Sequence, residues 1–484
     1  LASMLGGSCT PANLHELLSR AMASPQTLSD KEWAAVGRVR HYREAGVGFV
    51  ARPAHDRAGI FKKASNLNYT LRLGDKIAGG EALLPLLEAD GEFAQGYAEG
   101  DIQTHEIILL LDKDSGVHEN IIEAVVPEFV ADADLAYAQC ATNTKNLSDN
   151  YLAKALGYHT NNLFHNIWPC KALQGYFVPL VGHNVFLRKS HLEESGGWPE
   201  NRVSEDYDKA LGFYNRGYHG KYMQIAGLEF TEYVSRTFAE ETAKQFRYSY
   251  GLMEMLLQGT IRLGKTRGCD ILYMILYFCS LVNAVMLLPT ALLEAHFGNV
   301  HLLWAGFIFC NMAFVLLPCF RSLCMGRRLP REQRINLGHT CVLALAFLGH
   351  AYSRLAGVGR YFADKVKRNP RPFPSTNVDA LGYRFMDGVR ILGGYLRRNM
   401  GFIVIAALCV ERGLFMLSRA YVGVPTLLAY SYIFFFSVLA PVLLTPQLYM
   451  RREERAAKVV SNSRQREFHS RRGSGKSGIL CGNT

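Results

Sequence analysis

Four long apolar stretches lie in the second half of the chain, at residues 271–293, 300–320, 400–421 and 424–450. A helix that crosses a bilayer needs about 20 mostly apolar residues, and each stretch meets that length. They divide the chain near residue 266, because residues 1–265 are a mixed, charge-dotted sequence of globular character. With 49% hydrophobic and only 20% charged residues overall, part of the chain is expected to meet lipid.

A fifth stretch, 337–357, is interrupted by His339, His350 and Arg354. Basic residues flank the others: Arg262, Lys265 and Arg267 before the first, Arg321, Arg327, Arg328, Arg331 and Arg334 after the second, and again in 360–398 and from Arg451 onward. Lys and Arg accumulate on the cytoplasmic side of spans. All four basic segments therefore belong inside, which permits four full crossings and makes 337–357 re-entrant or interfacial, its His and Arg side chains facing protein or headgroups. Glu411 and Arg412 inside the third crossing call for a partner helix or a wet path. Residues 383–398 read as a basic amphipathic helix on the inner membrane surface. The expected organisation is a cytosolic domain at 1–265, a transmembrane domain at 266–450 with a cytosolic loop at 358–399, and a basic, disordered tail at 451–484.

The net charge of +11 is accounted for by these flanks, so nucleic acid is not an expected partner. Eleven cysteines form no CxxC pair, and Cys279, Cys310, Cys341 and Cys409 fall inside apolar runs; they are expected to be reduced and structural. Leu1 is followed by no signal-peptide pattern, so the N-terminus is expected to be cut.

In the first half, Ser29 with Glu32 forms a capping-box pattern, and Trp33, Val36, Val39 and Tyr42 predict a helix to about Glu44. GVGFVARP predicts a short buried strand, 63–73 a helix, HEIILLLD (105–112) a central parallel strand, 118–132 an amphipathic helix, and LAYAQC (135–140) another strand. Strand and helix alternate as in a doubly wound sheet, whose ligands lie beyond the carboxyl ends of the strands.

Asp112 and Asp114 in LLLDKDSG stand at such an end. Two carboxylates one residue apart can share a divalent ion with a diphosphate, although a solvated turn has the same composition. A second acidic cluster is RVSEDYD. Ser204 could cap the following helix, with Glu205 and Asp206 complementing its dipole, and a carboxylate held there could also deprotonate a hydroxyl nucleophile. In KQFRYSYG, Lys244, Gln245, Arg247 and Tyr248 suit either a mixed surface helix or stacking on a sugar beside a diphosphate.

In order, FKKASNLN, LLLDKDSG, VGHNVFLRKSHLEESGGWPE, VSEDYD and KQFRYSYG resemble the processive family-2 glycosyltransferases: cellulose, chitin and hyaluronan synthases and cellulose-synthase-like relatives. The resemblance covers about residues 30–450. It implies an α/β domain of the GT-A type that binds a nucleotide sugar, followed by an α-helical transmembrane domain, in an inverting hexosyltransferase of cell-wall type at the plasma membrane. Lys63 and Asn66 would contact the nucleotide, Asp112 and Asp114 would bind Mg²⁺ or Mn²⁺, and Asp206, with Glu205 beside it, would be the catalytic base. Arg247 would meet the diphosphate, and Gly182, His183, Asn184, Gln245 and Tyr248 would line the acceptor site. PFPSTN is similar to the family's gating loop through Phe373 and Thr376.

The sequence departs from the family pattern at several points. His183 replaces a usual Gly, Tyr248 replaces Trp, and the gate's Lys is missing. No apolar strand in residues 1–29 matches the family's first two strands, so the GT-A domain is expected to be incomplete at its N-terminus. The expected donor is UDP-glucose, with UDP-N-acetylglucosamine second, and the expected product a β-linked polysaccharide passed across the bilayer. Transfer of a single sugar to a lipid or short acceptor, an inactive interaction subunit, and a transporter with a cytosolic domain are the alternatives.

Overall fold

A computed structural model describes residues 11–52, 62–88, 91–94, 96–175, 177–258, 336–367, 373, 385–400 and 439–449, with a few positions between 403 and 414. The described residues fall into two compact units. One runs through Ile108 and includes Leu192–Asn201; the other comprises Leu109–His191 and the described residues from Arg202 onward.

The first unit opens with helices α1 (Pro11–Ala23) and α2 (Asp30–Glu44). Ser29 caps α2 as predicted: its Oγ accepts the Glu32 amide at 3.3 Å while the Glu32 carboxylate accepts the Ser29 amide at 2.8 Å. Leu14, Leu17 and Ala21 of α1 bury against Ala35, Val36 and Val39 of α2, with Trp33 and Tyr42 at the rim. Strand β1 (Phe49–Ala51), α3 (Lys62–Ala78) and α4 (Leu83–Glu88) follow. Strand β2 (Tyr97–Glu99) pairs antiparallel with β1 in a separate two-stranded sheet.

The sheet of the second unit has four strands, β3 (Ile107–Leu110, of which Leu109 and Leu110 belong to this unit), β4 (Leu135–Cys140), β6 (Val185–Arg188) and β7 (His219–Met223), in the order β3-β6-β4-β7. All six residues of β4 are buried, as a strand covered on both faces requires. Two expectations are corrected here. Strand β6 runs antiparallel to β4, so the sheet is mixed rather than parallel throughout; only β7 pairs with β4 in parallel. The HEIILLLD run is also not central: β3 lies at the edge of the described sheet and its side chains are only half-buried. An apolar run does not distinguish a central strand from an edge strand, because either can bury its residues against helices.

Helix α5 (Ile121–Ala131) precedes β4. Strand β5 (Thr142–Thr144) pairs in parallel with β8 (Phe230–Glu232) in a second small sheet. Between them in sequence come α6 (Tyr151–Asn162), α7 (Trp168–Leu173), α8 (Lys189–Glu194) and α9 (Glu205–Arg216). The 20-residue α10 (Phe238–Leu257) begins at a second capping box, formed by Thr237 and Glu240.

The stretch 337–357 is two helices, α11 (Leu337–Gly349) and α12 (Ala351–Lys367), meeting at His350. Its His350 and Arg354 face protein. The His350 ring stacks on Phe238 at 4.7 Å, and the Arg354 Nε donates to Gln245 Oε1 at 3.0 Å. Leu343 and Ala346 bury with Leu152 and Leu156 of α6, Tyr395 of α13 (Phe385–Arg398), and Ala440 of α14 (Ala440–Leu443). Helix α12 approaches α10 so closely that a Cβ on Gly357 would stand 2.4 Å from the Phe246 carbonyl oxygen.

Among the described residues, no helix is long and apolar enough to cross a membrane. The predicted crossings at 271–293 and 300–320 lie outside the described residues, as do Arg412, the tail 451–484 and most of 400–421 and 424–450. Helix α13 forms where an amphipathic helix was predicted, with Tyr395 buried and Phe385, Met386 and Val389 exposed. Of the described cysteines, Cys140 is buried and Cys170 and Cys341 are exposed, all free.

Candidate active site

Beyond β3 the chain turns through Asp112–Gly116, closed by the Ser115 amide donating to the Asp112 carbonyl at 3.0 Å. Two contacts pin this turn. Gly116 and Thr231 of β8 exchange main-chain bonds of 2.8 and 3.0 Å, and Lys145 Nζ donates to the Asp114 carbonyl at 2.7 Å. The Asp112 side chain remains 43% exposed.

The Gly182–His183–Asn184 turn precedes β6 and takes an unusual backbone path, with φ of +76° at Gly182 and +53° at Asn184. Glycine enters this region freely, and asparagine more readily than most other residues. Gln139, buried near the carboxyl end of β4, holds the turn. Its Oε1 accepts the Val181 amide at 3.0 Å, and its Nε2 donates to the carbonyls of His183 and Asn184, each at 3.2 Å. Asn184 Nδ2 donates to Thr142 Oγ1 at 3.2 Å.

The turn sets His183 between two acids. Its Nε2 hydrogen-bonds Glu232 of β8, and its Nδ1 lies 3.0 Å from the Val181 carbonyl and 3.7 Å from Asp112 Oδ2. On the other side of the turn stands Asp206: a Cβ on Gly182 would lie 2.6 Å from Asp206 Oδ2. The acidic turn, the glycine turn and the start of α9 therefore converge.

Glu205, Asp206 and Asp208 fill the first turn of α9, and Asp206 Oδ1 accepts the Tyr207 amide at 2.7 Å. The Ser204 side chain makes no cap bond, so the capping explanation of this cluster is corrected. Its hydroxyl is instead directed at α10, where a Cβ on Gly251 would meet Ser204 Oγ at 2.2 Å.

On α10, Gln245 is held at both ends of its amide, donating to Glu241 Oε1 at 2.7 Å and accepting from Arg354. Arg247 and Tyr248 are exposed, with the guanidinium 5.9 Å from the tyrosine ring centre. The Tyr248 hydroxyl, followed by Glu241 and Glu232, outweighs burial and raises Lys244 above its ordinary range. Phe373, from the predicted gate, packs edge-on against Phe246 at 5.8 Å and Tyr250 at 5.2 Å under the Arg360 guanidinium at 4.3 Å. Thr376 lies outside the described residues.

Lys63 and Asn66 belong to the other compact unit, on α3, half-buried and exposed respectively. In that unit Asn68 of FKKASNLN is buried, along with Ala64 and Ser65. Its amide donates to the Trp198 carbonyl and to Glu200 Oε1, both at 2.8 Å, and accepts the Trp198 amide at 2.8 Å.

Three residues had no motif to announce them: Gln139, Glu232, and Glu254 of α10, whose Oε2 accepts the Val203 amide at 2.8 Å; Gly251 closes the KQFRYSYG motif, but its contact with Ser204 was not readable from it. A signal existed for Gln139, since a polar side chain within a wholly buried strand needs partners and often organises a neighbouring loop. Glu232, Gly251 and Glu254 are ordinary residues of a strand and a helix until the tertiary fold shows what they touch.

Among the described residues, no group of three or more His, Cys, Asp or Glu side chains could enclose a metal ion. The donor set of Asp112 and Asp114 fits a different arrangement, in which Mg²⁺ is held by one or two carboxylates together with substrate phosphates and water.

Residues 107–325 match the family model described as glycosyl transferase family group 2. The match runs from β3 through α10 and includes Asp112, Asp114, His183, Asp206 and Tyr248. The mixed α/β sheets of the second unit fit the GT-A type expected. That match over residues 107–325 makes the protein a glycosyltransferase of the hexosyltransferase type.

Proposed function

We propose that this glycosyltransferase polymerises a UDP-sugar, UDP-glucose first among the candidates, into a β-linked polysaccharide and passes it across the membrane in which it is embedded. The observation that carries the transfer step is the convergence on the glycine turn. Asp206 lies against Gly182 on one side, and His183 reaches to 3.7 Å from Asp112 on the other. In this reading a base, Asp206, and a carboxylate that would face the diphosphate, Asp112, flank one short loop.

In this reading the Asp206 carboxylate takes the proton of an acceptor hydroxyl. The acceptor oxygen forms its bond to the anomeric carbon from the face opposite the diphosphate. The bond from that carbon to the diphosphate oxygen breaks with its electron pair, UDP leaves and the configuration inverts. Asp112 and Asp114 would hold Mg²⁺ or Mn²⁺, which when bound offsets the charge of the diphosphate. Arg247 and the cationic Lys244 bring positive charge to the same helix, where it favours a departing anion. Gly182, His183 and Asn184 shape the acceptor side, Gln245 fixes the helix that carries Tyr248, and Tyr248 offers a ring on which a sugar can stack. Lys63 and Asn66 are assigned to the nucleotide on the strength of the FKKASNLN resemblance.

Membrane passage is supported by the four apolar stretches with their basic flanks and by Phe373, which meets the helix of Gln245 and Tyr248 as a gate over the acceptor would. Membranes carrying the full-length protein, given labelled UDP-sugars with Mg²⁺ or Mn²⁺, should form a polymer that a linkage-specific glycanase digests. Asp206→Asn should abolish UDP release. No polymer from any donor would sink the synthase reading, and a single added sugar would replace it with non-processive transfer.

A further inference from the structure

Helix α10 touches the segment before Asp206 at two points. Glu254 is 5% exposed, and its Oε2 accepts the Val203 amide at 2.8 Å. One turn earlier, Gly251 admits the Ser204 side chain, whose Oγ and Cβ would lie 2.2 and 3.1 Å from a Cβ at that position. Ser204 gives α9 no side-chain cap; within the segment the Tyr207 amide donates to Asp206 Oδ1 and the Asp208 amide to the Ser204 carbonyl. Residues 203 and 204 are held in addition by α10.

A surface carboxylate would be an ordinary partner for a loop amide. This one is buried, and burial pushes its carboxyl above the usual range while the Val203 amide and Arg202 draw it back. An acid kept in such a place, accepting a main-chain amide three residues before Asp206, is there for geometry. Its helix is the one that carries Gln245, Arg247 and Tyr248, so the acceptor helix and the Asp206 loop are joined through two contacts.

We infer that Glu254 is a positioning residue for the catalytic loop: through the Val203 amide, seated beside Gly251, it sets where Asp206 stands relative to the helix that binds the acceptor. The inference deepens the sugar-transfer reading above and rests on it for the role of Asp206. A misplacement of about 1 Å at a reacting group can cost on the order of 10²-fold in rate.

The test compares Glu254→Gln, which keeps an accepting oxygen, with Glu254→Ala in the full-length protein. Hydrogen exchange is followed at the Val203 amide, and UDP release is followed with the donor that supports it. Glu254→Gln should keep slow exchange and keep kcat within about threefold, whereas Glu254→Ala should speed exchange at Val203 and lower kcat on the order of 10²-fold with little change in donor KM. Unchanged exchange in Glu254→Ala overturns the inference, as does an unchanged kcat, or an equal loss in both variants. If the wild-type protein releases UDP from no donor, the sugar-transfer reading fails, while the exchange contrast still decides whether Glu254 holds the loop.

Discussion

Gly182 and Asp206 stand in a contact that leaves no room for a side chain: a Cβ on the glycine would come within 2.6 Å of Asp206 Oδ2 and 3.2 Å of its Cβ. The glycine also has a φ of +76°, which an L-residue with a side chain resists. Gly182→Ala must therefore strain the turn or displace the carboxylate. We expect its kcat to fall on the order of 10²-fold while thermal stability drops only modestly, read from UDP release and a melting curve.

Glu232 anchors His183 from β8, on the side of the imidazole away from Asp112. Glu232→Ala removes that anchor and lets the ring swing, so Asp112 loses a fixed neighbour. Donor KM should rise by roughly 10-fold or more, the range expected when an ordered polar contact is lost at a binding site. Glu232→Gln, which keeps a partner for the ring, should recover most of the effect; titration with labelled UDP measures both.

Phe373 fills the space between Phe246, Tyr250 and Arg360. Phe373→Ala should leave donor binding unaltered, because the contact is made on α10 and α12 rather than at Asp112. Under the polymerising function proposed above, product length should shorten, while Phe373→Tyr retains it. Gel analysis of the labelled polymer gives the answer.

Lys209 lies on α9, 5% exposed, over the Phe213 ring at 5.7 Å. Burial, and then Arg216, pull its ammonium down to about 8. Below pH 8 both folded and unfolded chains carry the charge, and the folded chain bears the penalty. From about pH 8 to the ordinary lysine range the unfolded chain binds the extra proton, so stability from this group rises with pH by roughly 1–3 kcal/mol. Chemical denaturation from pH 7 to 10 should show that rise, and Lys209→Met should flatten it.

Several elements were legible in the residues themselves. The capping box at Ser29 and the apolar spacing after it define α2 to the residue. LAYAQC forms β4, and the helix predicted from residue 63 forms α3. The acidic turn at Asp112 and the acids at 205 and 206 were also readable as candidates for chemistry, because carboxylates at strand ends and helix starts have a limited set of uses. The place of HEIILLLD in the sheet was not, and neither was the direction of β6, since strand order depends on which distant segment pairs first and most favourably.

The sequence by itself determined the local elements, the division between a charge-dotted half and an apolar one, and the candidate groups for chemistry. These follow from spacing, capping and composition, which act over a few residues. Tertiary structure alone decided that Gly182 receives Asp206, that Glu232 and Asp112 share His183, and that α10 seats the 203–204 segment through Glu254 and Gly251. The physical reason is range: a hydrogen bond or a missing Cβ acts over about 3 Å. Residues that stand 24 to 71 positions apart in sequence, as these pairs do, come within that distance only through the packing of the whole unit.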